Sequence, residues 1–172
     1  MNALLRATRG AARIALGLSA AALLASLGVI VYGVVRRYVF NAPVAWTDEL
    51  VGYLLVASVM LAAAEALFGG EHISVDIVTE RLGPRGKRLA YLLGLAAVAA
   101  SGVLLIVEGL GMVLFSRQVG LRSNGALALP LWIPQSLVPI GALLLLLAAL
   151  AAFVGAWRGD TPPAREAPAG IE

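Results

Sequence analysis

Four apolar stretches, at residues 14–35, 50–68, 89–115 and 131–157, constrain this chain more than any other feature of its sequence. At about 1.5 Å per helical residue even the shortest reaches roughly 28 Å, close to the hydrocarbon thickness of a bilayer. The two longest must tilt or project into the headgroups. Composition points the same way: 60% of the 172 residues are hydrophobic, 13% are charged and the mean hydropathy is +0.91. Ordinary soluble domains are about a quarter charged. This much apolar surface needs lipid as well as a core, and the length leaves no room for an appended enzyme domain. The expected architecture is an all-α integral membrane protein with four transmembrane helices in a single membrane domain, 1–158, followed by a disordered tail, 159–172. That tail carries Pro162, Pro163 and Pro168 without any hydrophobic pattern.

The charge balance is read as topology. A net charge of +3 and a pI near 9.8 would suit nucleic acid, but the basic residues flank apolar runs rather than forming a patch interleaved with aromatics. Arg6, Arg9 and Arg13 precede the first span, Arg81, Arg85, Lys87 and Arg88 lie in the middle connection, and Arg158 and Arg165 follow the last span. The other two connections hold only Arg36, Arg37, Arg117 and Arg122. Positively charged flanks stay inside, so nine against four predicts both termini and the middle loop in the cytoplasm. The first run is too long for a secretory signal and ends on Arg36-Arg37, which predicts a retained helix. Trp46, Trp132, Tyr38 and Trp157 fall near span ends, where amphipathic rings prefer the interface. Pro130 and Pro134 suit a helix entry, whereas Pro139 predicts a kink in the fourth span.

Little in the sequence can carry chemistry. Cysteine is absent, which excludes disulfides and thiol nucleophiles, and His72 is the single histidine. Glu65 and Glu108 are the only carboxylates inside the predicted spans. Intramembrane carboxylates are functional candidates by default. They lie toward opposite leaflets, which argues against one acid/base pair, and Glu108 is expected either to pair with Arg36, Arg37, Arg117 or Arg122 or to contact a partner protein. In the segment after the second span, His72, Asp76 and Glu80 share one helical face and Val75, Val78, Leu82 and Leu89 another. That predicts a short amphipathic helix in the cytoplasmic interface, with a polar face more suited to solvent or a partner than to a metal. In the loop before the second span, Thr47 is expected to cap the helix, with Asp48 and Glu49 in its first turn at the positive end of its dipole. The two acids would also offset Arg36 and Arg37. No internal repeat and no matched pair of broken helices appears, which weighs against a self-sufficient carrier; a small membrane enzyme has equally poor material.

Two motifs carry a family resemblance. The run Arg37-Tyr38-x-Phe40-Asn41-x-Pro43-x-x-Trp46-x-Asp48-Glu49 and the run His72-Ile73-Ser74-Val75-Asp76, placed at the two ends of the second of four spans, resemble the small permease subunit of tripartite ATP-independent periplasmic (TRAP) transporters. The resemblance covers most of the chain apart from the tail. It implies a bacterial inner-membrane uptake system without a cofactor in this subunit. There a periplasmic substrate-binding protein captures an organic acid such as a C4-dicarboxylate, and a large membrane subunit moves it inward on an ion gradient, usually sodium. This chain would scaffold the large subunit. Arg37, Tyr38, Phe40, Asn41, Pro43, Trp46, Asp48 and Glu49 would be structural or partner-contact residues, and His72 and Asp76 would fix the cytoplasmic segment. The chain departs from similar members at Phe68 and Ser74, where they often carry basic residues.

Overall fold

A computed structural model describes the backbone of residues 2–68 and 83–158, and the side chains of 8–68, 83 and 86–157. Among these residues the chain is helical, with no β-strand. α1 spans Asn2–Tyr38, α2 Trp46–Phe68, α3 Pro84–Val119, the one-turn α4 Trp132–Gln135, and α5 Leu137–Arg158. Four helical stretches are long and apolar enough to cross a membrane, α4 and α5 together making the fourth. The predicted amphipathic segment around His72 and Asp76, and the tail, lie outside the described residues.

The helices overrun their apolar runs. α3 is 36 residues long, so at about 1.5 Å per residue it approaches 54 Å and needs tilt or protruding ends. Pro84 starts it at the first helical position, where a missing N–H costs nothing, and Gly120 stops it at φ +68°, its N–H donating back to the Ser116 carbonyl. The fourth span divides at Ser136, one turn before Pro139. Proline brings no N–H to the carbonyl four residues back, at Gln135, so the ladder is interrupted where the sequence predicts a kink.

Packing is through small residues, as expected where lipid removes the hydrophobic drive between helices. Ala12, Ala64 and Ala148 form the centre of an α1–α2–α5 cluster, with Leu67, Phe68 and Leu144 against it. The Ser19 hydroxyl donates to the Ser58 carbonyl at 2.6 Å, tying α1 to α2 within the spans. Gly141 lets α5 lie on the α2 backbone: a Cβ there would meet the Met60 carbonyl oxygen at 2.5 Å. α3 meets α5 along a seam of Leu95, Gly102, Gly109 and Ser116, all buried and spaced by seven. That period keeps one stripe of a slightly supercoiled helix facing its neighbour. Within the seam Gly102 sits against Leu146, and Gly109 against Pro139.

The order across the molecule is α1, α2, α5, α3. α1 packs on α2, α2 on α5 and α5 on α3; α1 also touches α5, but α3 meets neither α1 nor α2 among the described residues. The result is an open row rather than a closed four-helix bundle. At the end of the row away from the α1–α2 connection, Arg88 of α3 donates to the Trp157 carbonyl at 2.7 Å and the Ala156 carbonyl at 3.3 Å. A cation there satisfies the last carbonyls of α5 and complements its dipole.

Candidate functional site: a tied loop end and a bare helix edge

The α1–α2 connection and the loop from Gly120 to Leu131 meet at the same end of the row. Much of the aromatic and polar motif in the first is spent on building the connection itself. Asn41 adopts φ +49°, which asparagine tolerates better than most residues, and the Ala42 N–H closes back on the Arg36 carbonyl at 3.0 Å. Pro43 follows, where a helix cannot resume. Trp46 lies against Tyr32 of α1 with ring centroids 5.9 Å apart. Thr47 is buried against Gly33, and its hydroxyl donates to the Val44 carbonyl at 2.9 Å. The expected capping role therefore falls away: with the helix beginning at Trp46, Thr47 is already inside its first turn and is used for packing.

Asp48 and Glu49 do occupy the first turn of α2, but they part company there. The Glu49 carboxylate accepts from the Tyr53 hydroxyl at 2.8 Å and from the Leu127 N–H at 3.2 Å, with a further hydrogen bond to Ser123. The loop it grips is a small hairpin: Ser123 N–H donates to the Leu129 carbonyl, Leu131 N–H to the Leu121 carbonyl, and Arg122 bridges to Pro130. Gly125 passes so close that a Cβ would overlap the Glu49 carboxylate. Glu49 is thus the tie between the two loops. Asp48 is exposed, and no ion pair joins it or Glu49 to Arg36 or Arg37 among the described residues. The offsetting of those arginines is therefore not by direct pairing.

What remains of the motif faces outward. Arg37, Tyr38, Phe40 and Asp48 are exposed, and Arg36 lies over the Phe40 ring at 6.0 Å. Arg37, Tyr38 and Asp48 rim a groove of about 250 Å³ between α1 and α2, floored by Ile30, Val34 and Val51. Among the described residues no group of three His, Cys, Asp or Glu side chains gathers as a metal site would. His72, Asp76 and Glu80 are outside the described residues.

The two intramembrane carboxylates are far apart in kind. Glu65, on α2 near the opposite end, has one oxygen shielded from solvent and without a hydrogen-bond partner among the described residues. Glu108, on α3, is exposed, and among the described residues no hydrogen bond or ion pair reaches it. The arginines expected as partners are out of reach for topological reasons. Arg36 and Arg37 stand on α1, which α3 does not touch. Arg117, nine residues on, points to the opposite side of the helix at 100° per residue and sits over the Trp132 ring at 5.9 Å. Arg122 belongs to the hairpin. The position of Glu108 on an outer edge is not legible in the sequence, because nothing local encodes which helices are neighbours.

Helices long and apolar enough to span, packed through small residues and joined at one end by a tied pair of loops, define a multi-pass membrane protein. The chain belongs to the family described as tripartite ATP-independent periplasmic transporters, DctQ component, which it matches over residues 26–159. That family is a transporter component and not an enzyme. A stretch of 68 residues, 39% of this chain, is 32% identical to the "Putative TRAP transporter small permease protein" of Haemophilus influenzae. The match covers 42% of that relative, less than half its length.

Proposed function

We propose that this chain is the small membrane subunit of a TRAP-type uptake system in a bacterial inner membrane, and that it scaffolds a separate large membrane subunit. The large subunit moves an organic acid, such as a C4-dicarboxylate handed over by a periplasmic binding protein, on a sodium gradient. One observation carries the scaffold role: the helices stand in an open row, and a row encloses no pathway. Family membership and the small-permease relative support the same reading.

In this reading the termini and the His72–Asp76 segment face the cytoplasm, and the tied loops face the periplasm. The exposed Arg37, Tyr38, Phe40 and Asp48 offer the binding protein a mixed surface of charge and aromatic rings, while Asn41, Pro43, Trp46 and Glu49 hold that surface in shape. Glu108 belongs to the contact with the membrane partner. Reconstitution tests the proposal: proteoliposomes containing this chain, the large subunit and the binding protein should take up the organic acid under an inward sodium gradient, and omission of any one should abolish uptake. Uptake by this chain alone would overturn it in favour of an autonomous carrier.

A further inference from the structure

α3 has three sides with different chemistry. One is the buried seam on α5. A second carries Val103, Val107, Leu110 and Leu114, all large, apolar and exposed, which is the surface a lipid-facing helix presents. The third carries Gly94, Ala97, Ser101, Leu104, Glu108, Gly111 and Phe115, every one exposed, at alternating spacings of three and four. That spacing aligns them along the helix as an a/d stripe aligns for a partner helix.

Depth decides what Glu108 can meet. Gly109 rests against Pro139, seven residues inward of Trp132, so Glu108 lies roughly 10 Å below the level of that interfacial ring. A glutamate side chain is too short to regain the headgroups from there, unlike the long stems of lysine and arginine. A lipid headgroup cannot pair with it either. A second copy related by a two-fold axis along the membrane normal would bring Glu108 against Glu108, a repulsive pair while both are ionised. The carboxylate calls for a cationic side chain on another transmembrane helix, and the open space beside Gly94 and Gly111, where an added Cβ would meet nothing within 4 Å, lets such a helix come close.

We propose that the Gly94–Ser101–Glu108–Gly111 flank of α3 is the docking surface for a transmembrane helix of the large subunit, and that Glu108 pairs there with an arginine or lysine in the half of the bilayer nearer the tied loops. The identity of the partner rests on the small-subunit reading above; the exposed carboxylate on α3 does not. Because the chain has no cysteine, single thiols can be placed at will. Ser101→Cys and Gly111→Cys on the proposed flank, and Val103→Cys and Leu110→Cys on the apolar one, are labelled with a benzophenone maleimide in membranes co-expressing the large subunit, and irradiated. Adducts of the mass of the large subunit are expected from the first pair and not from the second. In parallel, Glu108→Lys should lower recovery of the large subunit on the tagged chain at least about tenfold, and Glu108→Gln less, since an amide keeps one hydrogen bond without the charge. Replacing the partner's arginine or lysine by glutamate should restore recovery with Glu108→Lys. Adducts confined to the Val103 flank, or equal recovery with all three residues at position 108, would overturn the docking surface alone. Adducts of twice the chain's own mass would replace it with a homodimer. Failure of the unmodified chain to retain the large subunit would overturn the small-subunit reading itself.

Discussion

Glu49 and Glu108 are both carboxylates of membrane helices, and the molecule treats them in opposite ways. Glu49 is gripped by Tyr53, Ser123 and the Leu127 N–H, and it binds two loops into one end of the fold. Glu108 is held by nothing among the described residues and stands on the edge of the row. A carboxylate with several internal donors is part of the architecture; one without any is, on the proposal above, left for a helix of the partner. Glu49 is therefore satisfied within the fold, and among the described residues Glu108 is not.

The sharpest way to break the comparison is at Glu108. Lysine there should leave the isolated chain's melting temperature close to that of the wild type while removing most of the retained large subunit, measured by affinity capture and quantitative mass spectrometry. Next in size is Gly141→Ala, since the added methyl must push α5 off the Met60 carbonyl; overpacking of this kind costs about 1–3 kcal/mol, read as a lower melting temperature in detergent. Ser19→Ala removes the hydrogen bond between α1 and α2, with an expected loss of about 0.6 kcal/mol in the same assay. Arg88→Ala uncaps α5 and should cost about 0.3–1 kcal/mol, with faster amide exchange confined to the last turn.

How much of this is visible in the sequence depends on the range of the interaction. The spans are legible because about 30 Å of hydrocarbon demands long apolar runs. Their ends are not, since hydropathy falls at Gly86 to Arg88 and at Ser116 to Val119 while the backbone ladder of α3 continues through both. The break at Ser136 follows from Pro139, a local steric cause. Asn41 and Pro43 likewise announce a helix stop. The tie from Glu49 to Leu127 spans 78 residues, and no local pattern signals it. Gly125 is the nearest thing to a clue, and its need to be small is evident only once the carboxylate beside it is known. The same limit governs Glu108. Four arginines near the same end of the spans suggest an internal partner; the order α1, α2, α5, α3 removes Arg36 and Arg37, helical phase removes Arg117, and the hairpin holds Arg122.

The most direct test sets the two carboxylates side by side. Glu49→Gln and Glu108→Gln are each measured for melting temperature as isolated chains and for retention of the co-expressed large subunit. The account predicts a crossed result: Glu49→Gln lowers the melting temperature and speeds exchange of the Leu127 amide while the partner is kept, and Glu108→Gln leaves both unchanged while the partner is lost in part. The reverse pattern, with Glu108→Gln destabilising the isolated chain and the partner retained, would contradict it.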